Sequence, residues 1–289
     1  MITRHTRGAQ PEALNYFYDS FITRFVNAMP ALQKDVYSKS MTGVYKDVAT
    51  GLCHSLVLAK EHKVVSGYLS YALQLGVGNF KLALNPDIPV EITLGTATTI
   101  ATGKENPQYL DVGTLLFLCQ LAVIARDTQA YEYLGSIPIQ EVNTPTITHD
   151  AIDFSVASLF SSFGEPTRMR EALSKVLDTI RTEREQFENR RTFNLHVTNP
   201  QVDVIAAIVS NDQESFDSAL VAALNLHRIY YDTDRPGYGR PGDPFSWISF
   251  GLLAICRLAL DQGLEIRTES DYIPRWLLDF DFHSVELPF

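Results

Sequence analysis

The sequence predicts a mainly α-helical protein of stacked antiparallel helical hairpins, with one small β-hairpin. Three observations predict it. Apolar residues recur at helical spacing along most of the chain, helix starts are marked by capping side chains and prolines, and strict alternation is confined to two short runs.

The elements follow in order. Residues 12–29 carry Leu14, Phe17, Tyr18, Phe21, Phe25 and Val26, an i, i+3, i+4, i+7 stripe that Pro30 is expected to end. Residues 44–60 and 63–84 read as two further helices. The run PVEITLG (89–95) alternates, TATTIA (96–101) follows closely, and Gly95 lies near the turn, so the pair reads as a β-hairpin. Residues 110–125 are apolar on nearly every side, as a central helix would be, and Arg126-Asp127 then opens a shorter helix reaching about Leu134.

Helical patterning resumes over 147–163, 167–190, 200–210 and 212–231. Asn199-Pro200 and Asp243-Pro244 each put a capping side chain before a proline at the first helical position, and Asn211 with Glu214 fits a capping box. Gly263 stands where a C-terminal glycine belongs after a 246–262 helix. Residues 264–269 alternate and are a candidate partner for the hairpin. Glu269 and Ser270 are placed to cap a last helix that Pro274 starts. Residues 1–289 are expected to form one domain, with 138–148 as the best candidate joint. No fixed-period repeat is present.

Composition narrows the function classes. A 45% hydrophobic content supports a substantial core, and 20% charge argues against wholesale disorder. No apolar run appears long enough to span a bilayer, and the N-terminal MITRHTRGAQPEA has no apolar core behind its positive charge, so a cytoplasmic protein is expected. Cys53, Cys119 and Cys256 are odd in number and widely spaced, which suits buried thiols rather than disulfides or zinc. The net charge of -10 is uneven: residues 201–289 hold 14 acids and 6 arginines, giving -8. That stretch repels nucleic-acid phosphate and attracts a basic partner, although plain solubility explains it too.

The sequence carries few marks of catalytic chemistry. Gly237-Tyr-Gly239-Arg-Pro-Gly242 matches a dinucleotide fingerprint in letters but follows a helix, not a strand, and reads as a surface loop. The seven histidines, His54 and His62 included, lack metal-ligand spacing. Asp150 and Asp153 stand i, i+3 near a helix start, where the dipole alone favours acids. The charge-laced run 181–191 needs only exposed helical ion pairs. No catalytic, cofactor-binding or metal-binding residue is therefore assigned. The 232–243 loop has the composition of a contact surface, with Asp232, Asp234, Arg235, Tyr238, Arg240 and Asp243, and the nearby acids Asp279 and Asp281 extend it. Tyr230-Tyr231 and Phe280/Phe282 are candidate anchors, or else local packing.

Several stretches together resemble one known family. They are PVEITLG (89–95), LAVIARD (121–127), AALNLHRIYY (222–231) and LAICRLALDQGLEIRTESDYIPRWLL (253–278). In that order they are similar to the Imm49 family, immunity proteins of bacterial polymorphic toxin systems. The resemblance implies a mostly α-helical protein that binds and silences a cognate toxin encoded nearby, frequently a nuclease, and it brings no catalytic residues. The expected partner is that toxin domain, with no cofactor and no direct contact with nucleic acid or membrane. Two other readings remain at this point, a helical-repeat adaptor that binds another protein and an all-α hydrolase.

Overall fold

The computed structural model describes residues 1–5, 10–105, 111–138, 141–142, 147–160, 162, 166–182 and 187–282. It is mainly α-helical with one small β-hairpin. The chain forms two compact units: Met1–Gly8, Leu115–Ser136 and Thr144–Phe280 in the larger, and Ala9–Thr114, Ile137–Asn143 and Asp281–Phe289 in the smaller. Much of the expected joint at 138–148 lies outside the described residues.

The smaller unit starts with α1 (Pro11–Lys34), α2 (Met41–Val57) and α3 (His62–Leu84), consecutive helices that pack side by side through short turns. Phe25, Met29, Leu32, Leu52, Leu69 and Tyr71 are sealed in its core. The Phe25 and Tyr71 rings meet edge to face at 5.1 Å. Pro30 does not end α1 but sits inside it. The missing N–H deprives one carbonyl of its donor, yet Ala28, Met29 and Leu32 around it are buried, and that burial carries the helix to Lys34. The hairpin forms as expected: β1 (Pro89–Leu94) pairs antiparallel with β2 (Ala97–Thr102), from Pro89 opposite Thr102 to Leu94 opposite Ala97. Gly95 takes φ 65 in the turn, and Ile92 and Leu94 point inward.

The larger unit holds α4 (Val112–Ala125, from Leu115 on), α5 (Thr128–Gly135), α6 (Ile147–Phe160) and α7 (Pro166–Thr182). Then come α8 (Glu188–Phe193), a π-helical turn (Asn194–Thr198), α9 (Asn199–Val209) and α10 (Gln213–Tyr231). A 3₁₀ turn (Pro244–Ser246), α11 (Phe250–Asp261) and the short α12 (Arg275–Asp279) complete it. Leu115, Leu118, Leu121 and Ala122 on α4 and Leu253 to Cys256 on α11 are all buried, as an all-round apolar pattern requires.

The structure departs from the expected pattern at four places. Pro200 does sit in the first turn of α9, but Asn199 caps no new helix: the chain is already helical from α8, and the π turn, closed by the Asn199 N–H on the Asn194 carbonyl, stands just before the proline's missing donor. Asp212, not Asn211, caps α10, its carboxylate accepting from the Glu214 and Ser215 N–H groups, while Asn211 closes α9 in a left-handed conformation. Residues 264–269 leave the hairpin two-stranded. The Ile2 N–H instead donates to the Glu269 carbonyl and the Asp271 N–H to the Ile2 carbonyl. Ser270 ties into that same bridge, donating to the Ile2 carbonyl and accepting from the Tyr272 N–H, so it caps a turn rather than α12.

The segment Pro244–Asp261 is apolar enough by composition to span a membrane, at a mean hydropathy of 1.3. It is not one helix, however. The α-helix within it has 12 residues, about 18 Å against a hydrocarbon core of about 30 Å, and 78% of the segment is buried inside the fold.

Phe25→Ala should lower unfolding free energy by about 3–5 kcal/mol in a urea titration, because it empties a fully buried site. Tyr16→Ala, at a position 72% exposed on the same helix, should stay within about 0.5 kcal/mol of the parent.

Candidate functional site

The 232–243 loop is built on the end of α10. Three backbone bonds fold it: Tyr238 N–H to the Arg235 carbonyl, Gly239 N–H to the Tyr230 carbonyl and Asp243 N–H to the Arg240 carbonyl, each 3.0–3.1 Å. Gly237 sits at φ 85, where a side chain would be strained. Gly239 lies flat on two rings, so close that a Cβ there would meet Tyr231 at 2.5 Å and Tyr230 at 2.6 Å. The glycines thus serve a turn and a close approach, as expected of a surface loop after a helix.

The predicted contact residues divide by exposure. Asp234, Arg235 and Arg240 face solvent, while Asp232, Tyr238 and Asp243 are half-buried. Tyr238 packs against His196 at 5.2 Å and Tyr230 at 5.9 Å. Asp243 caps the 3₁₀ turn by accepting from the Phe245 N–H at 3.0 Å, and burial raises its pKa above the ordinary carboxylate value. Asp279, exposed at the end of α12, pairs with Arg275 at 3.5 Å. Asp281 is exposed but groups with the smaller unit. Six of the eight residues therefore share one loop. Tyr230 is 8% exposed and packs on Phe193 at 5.5 Å, which makes it core rather than an exposed anchor.

Beneath the loop lies a polar cluster that sequence reasoning missed. The Pro241 carbonyl accepts from the Trp247 Nε1–H at 3.1 Å and from His5 Nε2 at 3.2 Å. With Nε2 protonated, His5 Nδ1 accepts from the Tyr272 hydroxyl at 2.9 Å, and that hydroxyl accepts from the His5 N–H at 3.0 Å. His227 Nε2 donates to the Ser246 carbonyl at 3.0 Å, and its Nδ1 has no partner among the described residues. His5, His227, Ser246 and Tyr272 are each 4% exposed or less, so the cluster is sealed. Burial depresses the pKa of both histidines, that of His227 to about 4. His5 and Pro241 are 236 positions apart, and no local pattern signals such a pair.

Asp153, read above as a dipole partner at a helix start, is buried and forms an ion pair with Arg190. The side chain of Asp150 lies outside the described residues, as do residues 183–186 of the charge-laced run. Cys53, Cys119 and Cys256 are buried thiols outside any disulfide among the described residues, and burial pushes the latter two up to about 12. Among the described residues no three His, Cys, Asp or Glu side chains gather as a metal site would require.

A second feature is a cleft of about 440 Å³ where the end of α4, the start of α5 and the end of α11 meet. Ala122, Val123 and Leu258 form its apolar floor, and Arg126, Asp127 and Asp261 its charged edge. Asp127 caps α5 through the Ala130 N–H at 2.9 Å, and Arg126 pairs with Asp261, 135 positions away. Arg257, one turn before Asp261, is 4% exposed, and its Nε has no partner among the described residues. Arg126 occupies the position just past α4 with φ 55, and the Asp127 N–H closes the helix on the Ala122 carbonyl. Glycine is the residue this conformation favours. For arginine it costs about 1–2 kcal/mol, and an exposed ion pair returns about 0–1 kcal/mol. The local balance for Arg126 is neutral or unfavourable to stability.

A family model described as Immunity protein 49 matches residues 47–277, most of the chain. The comparisons with curated proteins and with solved structures gave no match.

The buried histidines set a pH dependence. Unfolded histidine titrates near 6.5 and folded His227 near 4, so between these values the unfolded state binds more protons and stability falls as pH falls. Denaturant titrations from pH 6.5 to 4 should show a loss of about 3 kcal/mol from this group alone. His227→Gln, measured over the same range, should lose correspondingly less.

Proposed function

The chain belongs to the Immunity protein 49 family, and on that premise we propose that it binds a cognate toxin and neutralises it by stoichiometric occlusion, with no chemistry of its own. The family match over residues 47–277 is the observation that carries this reading. The toxin is encoded beside this chain, and the complex forms in the cytoplasm of the cell it protects.

The acidic balance of residues 201–289 supports a basic toxin surface, as a nuclease would present to bind nucleic-acid phosphate. Asp217, Asp261 and Asp279 are each paired with an arginine, so net charge, rather than any lone carboxylate, steers encounter. Within the 232–243 loop the exposed Asp234, Arg235 and Arg240 meet the toxin. Asp232, Tyr238 and Asp243 hold them in place, and Asp279 adds acidic surface. The bonded backbone and seated glycines favour binding by a pre-formed surface, which limits the ordering cost of association.

Expression of the neighbouring toxin domain alone should arrest growth, and co-expression of this chain should restore it. Growth arrest that persists with both proteins folded and soluble contradicts the proposal. Asp232→Ala combined with Asp234→Ala should slow association a few-fold at low salt and weaken its salt dependence. Unchanged association kinetics would move the contact away from the loop.

A further inference from the structure

We propose that the hollow at the start of α2 is a binding site for the phosphate group of a small ligand. The α1–α2 turn, the end of α3 and the residues after β2 enclose about 370 Å³ there, room for a phosphate and a small organic body. Ser40 caps α2 by accepting from the Gly43 N–H at 3.2 Å, and the Met41 and Thr42 N–H groups have no partner among the described residues. Free N–H groups at the positive end of a 17-residue helix favour an anion. A helix start alone specifies nothing, and Thr42 supplies the second observation. It lines the hollow, is 7% exposed, and its Oγ1 has no partner among the described residues. A buried hydroxyl left unpaired is costly, and a phosphate oxygen would accept its proton in a hydrogen bond.

The charges agree. Lys39 and Lys104 line the hollow against one carboxylate, Glu105, and none of the three forms an ion pair among the described residues. The Lys104 ammonium stands 3.9 Å from the centre of the Tyr37 ring, a contact that positions the cation without neutralising it. The neighbouring acids are engaged elsewhere: Asp35 accepts from the Tyr37 N–H, and Asp47 holds Arg24. Two ammonium groups, two helix N–H groups and a hydroxyl suit the several acceptor oxygens of a phosphate, where a carboxylate would leave donors idle. All of these residues belong to the smaller unit, so the site stands apart from the 232–243 loop and from toxin binding.

Titration calorimetry of the full chain at constant ionic strength tests the proposal, with inorganic phosphate and glycerol 3-phosphate as the probes. At least one should bind with a Kd of about 1 mM or tighter. Tighter binding of the ester identifies a phosphorylated metabolite as the source, and tighter binding of the inorganic ion identifies free phosphate. Lys39→Gln combined with Lys104→Gln, both at exposed positions, should weaken binding by about tenfold or more at an unchanged denaturation midpoint. Thr42→Val should weaken it by about threefold or more, while the midpoint without phosphate stays level or rises, because no hydrogen bond within the protein is lost. A wild-type chain that binds neither probe overturns the site. Binding that the lysine variant keeps at full strength overturns it equally, since the anion then sits elsewhere.

Discussion

The half-buried Pro241 carbonyl accepts from two donors, and the groups that supply them tie distant parts of the larger unit together. Trp247 supplies one from the turn just beyond, and His5 supplies another from the start of the chain. His5 reaches that position because Ile2 pairs with the 269–271 backbone and Tyr272 holds the imidazole from its other side. His227 secures the Ser246 carbonyl next door. Four segments distant in sequence are thereby pinned at the base of the 232–243 loop. The cluster is closed to solvent and works as a brace: it fixes the root of a loop whose outer side carries mixed charge. Its histidines are neutral at physiological pH, which makes the brace sensitive to acid rather than to salt.

Much of the fold was legible because periodicity reports burial. Helix α1, the all-round apolar α4 and the strands β1 and β2 each appear where the pattern placed them, although Phe17 of the α1 stripe and Ile100 of β2 face solvent, and Gly263 takes the left-handed conformation of a helix-ending glycine. Punctuation residues were less reliable. Pro30 and Pro200 read as boundaries, yet tertiary burial holds both inside helical segments, in the second case with a π turn to absorb the missing donor. Asn211 read as a cap because it precedes Glu214, but the next residue, Asp212, does the capping.

The candidate surfaces were legible in unequal measure. The loop was visible as a run of Gly, Pro and mixed charge, because such composition has a local cause. Its buried support was not, since His5 and Pro241 meet only in the fold. The cleft was hidden for the same reason: Arg126 and Asp261 lie in two stretches that resemble the family separately, and only the folded chain joins them into one edge. The left-handed backbone of Arg126 is likewise invisible in a sequence.

Binding by occlusion has a characteristic signature in solution. Titrating this protein into a fixed amount of a cognate toxin, and following the toxin's own activity, measures whether protection is consumed one molecule at a time. The account predicts a linear fall that reaches zero at one equivalent. Silencing of the toxin by a small fraction of an equivalent, or full activity in excess protein, would contradict it.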